Sequence, residues 1–438
     1  MRDDFKGAFL VTLLDSLFYL HMSFWEAFME TDTQRDFDIV VYGATGFTGA
    51  LVAAYLHEAY GDKISWAIAG RSKPKLDDIR LGLSAPNLQI LVADSDNTDE
   101  MTRLAASTRV VISTVGPYAR YGTTLLEACA MEGTHYCDLT GEPQWMASVF
   151  DRVSPMAEES GARLVHCCGF DSIPSDIGVF VAQKTMMEKH SVYAQKVSGR
   201  MGESKGGVSG GTVASMLLAV EQAVEDPIVR KTLNDPYALY PPELDPGGDG
   251  ADQRGARWDD NFGSWTGPFV MAAINSKVVR RSNALASLLY GADFSYNESQ
   301  LMPSRRAALL LSAGMIAGMT ALAIGPLRRF IAKRLPQPGE GPSLHERETG
   351  FFEFFVHAHH PTELTKDVRI VVRGKHDPGY GATSRMLAEA GLSLAFDDLA
   401  VEGGIWTPAS ALGDHLVARL ATVDITFEEE PAGGQSGS

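Results

Sequence analysis

Three glycines at a fixed spacing follow a short apolar run near the start of the chain. The segment FDIVVYGATGFTGALVAAYLHEAY has Gly43-x-x-Gly46-x-x-Gly49 between two apolar runs, which predicts a strand, a tight turn and a helix. Such glycines permit unusual dihedrals and a close approach of backbone to a pyrophosphate, and the helix N-terminus favours phosphate. A tight connection without a ligand is the alternative. The predicted dinucleotide contacts are Gly43, Thr45, Gly46, Phe47, Thr48 and Gly49.

The end of the second predicted strand indicates which dinucleotide binds. SWAIAGRSKPK lacks the carboxylate that would grip the ribose 2′-hydroxyl of NAD. Arg71 stands there instead, and Ser72 and Lys73 follow it. These side chains are charge-assisted donors that suit a 2′-phosphate. A solvated turn is the alternative, and we favour NADP as the cofactor.

Strands and helices continue to alternate after this point. LQILVADSDN predicts a third strand ending at Asp94, whose carboxylate we expect near the adenine ring. RVVISTVGPYARYG predicts a fourth strand ending at Thr114. Ligands of doubly wound sheets lie outside the carboxyl ends of the strands. We therefore expect the segment that carries Thr114, Gly116, Pro117 and Tyr118 to pass the cofactor toward the nicotinamide.

The pattern as a whole predicts an α/β fold. Residues 36–178 are expected to form a Rossmann-type doubly wound parallel sheet, preceded by an N-terminal extension over residues 1–35. No small-residue cleavage site follows the apolar start of that extension, which argues against a secretory signal. Residues 179–407 are expected to form a second, mixed α/β domain. In it, FFEFFVHAHH and VRIVVRGK read as neighbouring antiparallel strands, and TSRMLAEAGLSLAF reads as a helix. A last helix within residues 408–425 is expected to return to the first domain.

Composition narrows the range of partners and compartments. The net charge of -17 argues against nucleic acid as a partner, since a polyanion requires a basic surface. The cysteines have no Cys-x-x-Cys spacing, so we expect no metal site and reduced thiols of a cytoplasmic protein. These cysteines are Cys129, Cys137, Cys167 and Cys168.

An uncharged segment at residues 307–327 stands out in this acidic chain. Its 21 residues, as one helix, would be about 31 Å long, enough to cross a bilayer core. A single span is disfavoured because it would separate parts of one fold. A helix buried in the second domain or in a homodimer interface is one alternative, and insertion into the inner face of a membrane is the one we favour. The cations that favour contact with anionic headgroups are Arg305, Arg306, Arg328, Arg329, Lys333 and Arg334.

Several motifs together carry a resemblance to a known family. VYGATGFTG, AGRS, STVGPYARYG, HYCDLTGE and GFDSIPSDIG, in this order, resemble the saccharopine dehydrogenase-like oxidoreductases, which include bacterial trans-acting enoyl reductases. LPQPGEGPSLHERETGFF, DPGYGATSRMLAEAGLSLAFDD and GGIWTPASALG extend the resemblance over residues 36–425. It implies an NADP-type Rossmann domain followed by a mixed α/β domain. It also implies lipid-like substrates for the enoyl reductase members. True saccharopine dehydrogenases bind an amino acid with two or three carboxylates, and no clear arginine cluster for these is evident here.

The candidates for catalysis are acids on loops at the predicted strand ends. No tyrosine is followed by a lysine four positions later, which argues against the short-chain dehydrogenases. Hydride transfer to an alkene or imine needs an acid. The predicted catalytic residues are Tyr118, Asp138 and Asp171, with His135 and Glu142 as further candidates. Tyr118 as a residue that stacks on the nicotinamide, Asp138 as a turn residue and Asp171 as a helix cap are the alternatives.

These features favour an NADP-dependent oxidoreductase that reduces an enoyl or keto group of a hydrophobic, lipid-linked substrate. Two other functions stay open. One is an NADP-binding membrane or lipid-body adaptor without turnover. The other is a saccharopine-type amino-acid oxidoreductase.

Overall fold

Two sheets and their covering helices make up the described chain, which in this computed structural model comprises residues 35–207, 210–335 and 341–430. The predicted extension up to residue 34 lies outside the described residues. The strands are β1 (Phe37–Tyr42), β2 (Trp66–Gly70), β3 (Gln89–Val92), β4 (Thr108–Ser113), β5 (His135–Asp138), β6 (Arg163–Val165), β7 (Lys196–Lys205), β8 (Arg257–Asp259), β9 (Ser264–Gly267), β10 (Ser295–Met302), β11 (Phe351–His359), β12 (Val368–Lys375), β13 (Gly404–Trp406) and β14 (Ile425–Glu429). The helices are α1 (Phe47–Ala59), α2 (Lys73–Gly82), α3 (Thr98–Ala106), α4 (Tyr118–Tyr121), α5 (Thr123–Met131), α6 (Pro143–Ser160), α7 (Ile173–His190), α8 (Gly210–Glu225), α9 (Pro227–Asn234), α10 (Ala272–Leu285), α11 (Arg305–Ala323), α12 (Gly325–Ala332), α13 (Leu344–Glu348), α14 (Thr383–Phe396), α15 (Pro408–Ala411) and α16 (Gly413–Ala421).

The first sheet is parallel and has the strand order β13-β6-β5-β4-β1-β2-β3. Without β13 this is the doubly wound order 3-2-1-4-5-6, so the predicted Rossmann-type sheet is confirmed. The central strand β1 is apolar on both faces because helices cover both sides, and Ile39, Val40 and Val41 are fully buried.

A helix from the C-terminal part of the chain covers one face of this sheet. The buried helix α14 packs on β4, β5 and α1, and a side chain at Gly391 would collide with Ile112. The fully buried Glu389 carboxylate accepts hydrogen bonds from the hydroxyls of Tyr55 and Tyr60 on α1. Residues more than 300 positions apart therefore fix the helix that follows the glycine turn.

The second sheet is mixed and has the order β14-β12-β11-β7-β10-β9-β8. The pair β7 and β10 is parallel, and the other pairs are antiparallel. The predicted antiparallel pairing of β11 with β12 is thereby confirmed. Helix α7 packs on these two strands through Gly178, where an added Cβ would lie 2.8 Å from Val356. The second mixed α/β region is thus also confirmed.

The residue boundaries of the two predicted domains stay a prediction, because the chain from Phe37 onward clusters as one compact unit. Strand β13 pairs with β6 in the first sheet, although the sequence pattern assigns residues 179–407 to the second domain. The three residues of β13 carry no local sequence signal that they pair with a strand some 240 residues earlier. The predicted return helix is divided into α15 and α16, and α16 packs on α14 and β14.

The uncharged segment forms two helices, so the length calculated for a single helix does not apply to it. Helix α11 ends at Ala323, Ile324 is extended, and α12 begins at Gly325. Pro326 explains the break, because a proline inside a helix has no N–H group to donate and its ring clashes with the carbonyl group four residues earlier, here that of Leu322. The segment is also not buried in the core of this chain, since Leu310 is 74% exposed and Ile316 60% exposed.

Candidate functional site

The glycine turn joins β1 to α1 and places backbone where a side chain would obstruct a ligand. Gly43 has φ of +90°, a conformation that glycine adopts without strain. An added Cβ at Gly49 would lie 2.2 Å from the carbonyl oxygen of Gly43, so the first turn of the helix packs directly on the loop. Thr114 completes the turn from β4, because its hydroxyl donates to the carbonyl oxygens of Tyr42 and Gly43 at 3.2 Å.

The groups at this edge of the sheet fit NADP. Gly46 precedes the first turn of α1, and neither a capping side chain nor an acidic residue is found in that turn. The N–H groups of this turn and the positive end of the helix dipole are therefore suited to hold a pyrophosphate. Arg71 is exposed directly after β2, where a 2′-phosphate requires a cation, and Ser72 precedes α2 without a side-chain capping bond. Asp94 follows β3 at the same edge of the sheet and is half-buried.

The predicted nicotinamide segment follows β4, and Gly116 and Pro117 lead into the short helix α4. Tyr118, the first residue of α4, points into the protein. Its buried hydroxyl donates to the carbonyl oxygen of Ser113 at 3.0 Å, and its ring stacks on Trp145 with centroids 5.4 Å apart. Burial and the nearby Asp138 carboxylate raise the pKa of Tyr118 well above its usual value. Its proton is therefore held within the protein.

The Asp138 carboxylate is fully buried and its oxygens are occupied by protein groups. One oxygen accepts from the backbone N–H groups of Thr140 and Cys167 at 3.1 and 3.2 Å. The other accepts from the Tyr136 hydroxyl at 3.0 Å and lies 2.8 Å from Nδ1 of His166. This arrangement matches the turn-shaping alternative for Asp138, and its assignment as catalytic stays a prediction.

Asp171 differs from both of these candidates. It lies in the loop between β6 and α7, where a Cβ added to Gly141 would be 3.7 Å from its Oδ2. Burial raises the pKa of the carboxyl to about 6. Ser172, rather than Asp171, occupies the capping position of α7, and across the described ranges of the chain no group donates a hydrogen bond to Asp171. Its proton is thus the least committed among the three predicted acids.

Two residues missed by the sequence reasoning lie against the glycine turn. The ring of Phe47 meets Tyr380 edge-on at 4.6 Å between centroids, and the Arg347 guanidinium lies 5.5 Å from the centre of the same ring. Tyr380 is held there because the Asp377 carboxylate accepts its backbone N–H at 3.0 Å. The DPGYG motif is a turn signal that would have singled out Tyr380, whereas the position of Arg347 depends on tertiary packing alone.

Glu142 connects the nicotinamide segment to helix α8. Its buried carboxylate accepts from the backbone N–H groups of Tyr118 and Ala119 at 2.8 and 3.0 Å, and from the Ser215 hydroxyl at 2.6 Å. The backbone N–H of Gly210, at the start of α8, donates to the Tyr380 hydroxyl at 2.9 Å. Helix α8 therefore borders the site at two points.

Comparison with known proteins gives a consistent set of similarities. The profile of the saccharopine dehydrogenase NADP binding domain matches residues 39–165. A protein assigned as a trans-acting enoyl reductase in Mycobacterium tuberculosis is 42% identical over 417 residues, covering 91% of this chain and 98% of that protein. A trans-acting enoyl reductase of Mycobacterium bovis is 38% identical over 416 residues, covering 88% and 96%. The structure of saccharopine dehydrogenase (L-Glu forming) from Saccharomyces cerevisiae covers 90% of this chain and 99% of its own, with a TM-score of 0.50 and 12% identity, which concerns the fold alone.

Proposed function

We propose that this chain, which belongs to the saccharopine dehydrogenase-like family that includes the trans-acting enoyl reductases, reduces the enoyl double bond of a hydrophobic, lipid-linked substrate. The chain is an NADP-dependent oxidoreductase, and NADP is its cofactor. We favour an enoyl group over a keto or imine group because a relative named as an enoyl reductase is 42% identical over nearly the whole chain.

Different residues of the site have different roles in such a reduction. NADPH, when bound, supplies a hydride. Gly43, Gly46 and Arg71 hold the phosphates. The stacked rings of Tyr118 and Trp145 reduce the access of water to the segment that follows β4. Reduction of a carbon–carbon double bond also consumes one proton, which we assign to Asp171. Its raised pKa keeps a proton on the carboxyl in weakly acidic solution, and no hydrogen bond within the described chain holds that proton back.

The test is NADPH oxidation by the purified protein in the presence of matched thioesters. A long-chain 2-enoyl thioester should be reduced, and a four-carbon enoyl thioester should be reduced far more slowly. A long-chain 3-keto thioester and a pair of amino acid and 2-oxo acid form the comparison set. Turnover of the amino-acid pair alone would favour a saccharopine-type oxidoreductase. Tight NADPH binding without any turnover would favour the adaptor.

A cytoplasmic protein that meets its substrate at the inner face of a membrane is the second part of the proposal. Helix α11 is long and apolar enough to cross a bilayer by length and composition, yet only 17% of its most apolar window is buried within the chain. A crossing conflicts with the fold, because β10 before it and β11 after it both pair with β7. Contact along a membrane surface is compatible with both observations.

The helix pair α11–α12 combines exposed apolar side chains with cations at its ends. Leu310, Ile316, Leu327 and Phe330 expose between 38% and 74% of their surface. Apart from Arg328, which pairs with Glu221, the flanking cations stand out in a chain of net charge -17, and anionic headgroups attract each such cation by about 1 kcal/mol. Binding of the purified protein to anionic vesicles tests this contact.

Helix α8 links this surface to the site. Near its C-terminus, Glu221 pairs with Arg328 of α12 at 3.1 Å, while Ser215 reaches Glu142 beside the nicotinamide segment. A lipid that leaves the membrane at α11–α12 would therefore meet the helix that borders the reaction site. This path supports a long-chain substrate over a small, soluble one.

A further inference from the structure

Two histidines and an aspartate converge on one face of the second sheet. His357 and His359 are two residues apart on β11, so their side chains point to the same face, opposite the face on which Val356 meets α7. Their rings stack with centroids 4.4 Å apart. Asp367 precedes β12, and its Oδ2 lies 2.8 Å from Nε2 of His357 and 3.3 Å from Nδ1 of His359.

The second nitrogen of each histidine ring does not fix which nitrogen carries the proton. Nδ1 of His357 and Nε2 of His359 are buried and have no hydrogen-bond partner within the described ranges of the chain. A neutral imidazole carries one N–H and one lone pair, and a partner on either nitrogen would fix which is which. Because none does so here, each ring can turn a lone pair toward Asp367 without losing another hydrogen bond.

We propose that His357, His359 and Asp367 form a binding site for a divalent transition metal ion, with zinc as the favoured ion. Two imidazoles and one carboxylate are a donor set that Zn²⁺ accepts, and a water molecule completes the four ligands. The candidate ligand atoms lie within 4.8 Å of one another, so small movements bring each to about 2 Å from a central ion. This inference departs from the expectation of no metal site, and it is independent of the proposed reduction.

Neighbouring groups orient the aspartate through hydrogen bonds, as the groups around metal ligands do in known sites. The second oxygen of Asp367 accepts from the backbone N–H of His360 at 2.8 Å, which aims the first oxygen at the two rings. Nδ1 of His360 in turn accepts from the backbone N–H groups of Thr362 and Glu363, which fixes the connection between β11 and β12. The carboxylate is therefore positioned before any ion arrives.

The charges around the cluster are largely balanced. Arg369 pairs with Glu430 at 3.0 Å, and Arg200 pairs with Asp259 at 2.7 Å. Lys196 and Asp259 also face His359 with opposite charges. His359 and Asp367 are 14% and 13% exposed, which leaves an approach for an ion from solvent. An ion bound there would join the two strands of the β11–β12 hairpin.

Cobalt substitution tests the site in the full-length protein, purified without a histidine tag and stripped with a chelator. Tetrahedral Co²⁺ absorbs strongly in the visible range, and we expect one equivalent to bind with that signature and to be displaced by Zn²⁺. His357→Gln and Asp367→Asn should each lose the signal. His345→Gln, which changes an exposed histidine of α13, should keep it.

NADPH binding by each variant serves as the check on folding. A wild-type protein that shows no tetrahedral Co²⁺ absorption would overturn the proposal, as would variants that bind Co²⁺ like the wild type. If the two ligand variants fail to fold, anomalous diffraction at the zinc edge from crystals of the wild type grown with Zn²⁺ decides. A peak between the three side chains supports the site, and its absence contradicts it.

Discussion

Replacing three exposed apolar side chains of α11–α12 should abolish binding to anionic membranes while leaving the enzyme folded. The change is Leu310→Gln, Ile316→Gln and Phe330→Gln in one protein, since glutamine keeps helix propensity. These side chains are 74%, 60% and 55% exposed, so they pack little against the rest of the chain. We expect the free energy of unfolding to change by less than about 1 kcal/mol.

The expected loss of membrane affinity follows from the exposed area. Burying one full side chain of this kind contributes about 1.5 to 3 kcal/mol, and together the three expose the equivalent of nearly two side chains. Insertion into lipid would then contribute about 3 to 6 kcal/mol. The lower end corresponds to a loss of about 100-fold in the partition coefficient.

The assay is co-sedimentation with vesicles that contain phosphatidylglycerol, compared with vesicles of phosphatidylcholine alone. A matched control carries Leu81→Gln and Leu364→Gln, which remove two leucines of 80% and 79% exposure on other parts of the surface. This control should bind as the wild type does. Equal binding by the triple variant, or an equal loss in the control, would refute the reasoning. A wild-type dimer that the triple variant converts to monomers, without vesicle binding by either, would assign the surface to self-association.

Other changes test the site and the interior. Arg71→Ala should weaken NADPH tenfold or more, because about 1.5 to 3 kcal/mol of charge-assisted contact is lost, and should leave NADH nearly unchanged; equal losses in titrations of both cofactors would contradict the assignment. Gly46→Val should abolish NADPH binding, measured by calorimetry, while circular dichroism stays unchanged; retained affinity would show that the ligand lies elsewhere. If Asp171 donates the proton, kcat/KM for reduction should fall as pH rises through about 6, and Asp171→Asn should lose both the activity and this profile; an unchanged profile would exclude the role. Burial raises the pKa of Glu298 to about 7, so its contribution to stability is full below about pH 4.5 and is lost as pH rises through 7. Urea unfolding at pH 5 and pH 8 should show that Glu298→Gln removes a pH-dependent loss of about 2.5 kcal/mol, and identical losses in both proteins would contradict this.

Local patterns predicted the elements around the cofactor well. The strand at Phe37–Tyr42, the glycine turn and the helix after it were all evident, because hydrophobic periodicity and glycine spacing are written into neighbouring residues. The predicted helix TSRMLAEAGLSLAF matches α14 from Thr383 to Phe396. The break at Ile324 was also predictable from Pro326, because a proline rarely continues an existing helix.

The parts that depend on tertiary contacts were beyond such patterns. The bond between Tyr55 and Glu389 joins residues 334 positions apart, and neither segment carries a sign of the other. The turn of the Tyr118 hydroxyl toward Ser113 and the raised pKa of Asp171 are likewise products of burial in the folded chain. Sequence reasoning therefore proposed a set of acids, and their surroundings distinguish them.

Because α14 and β13 are synthesised late, the first sheet is incomplete while the chain emerges from the ribosome. The cofactor-binding strands are synthesised first, yet the helix that covers Ile112 and the edge strand beside β6 come more than 200 residues later. Until Trp406 has been made, the part of one face that α14 covers over β4 and β5, and the edge beside β6, lack these two elements, a state that favours association with other chains or chaperones. A nascent chain stalled before residue 383 should consequently bind NADPH poorly and remain sensitive to protease, although it contains every predicted cofactor contact.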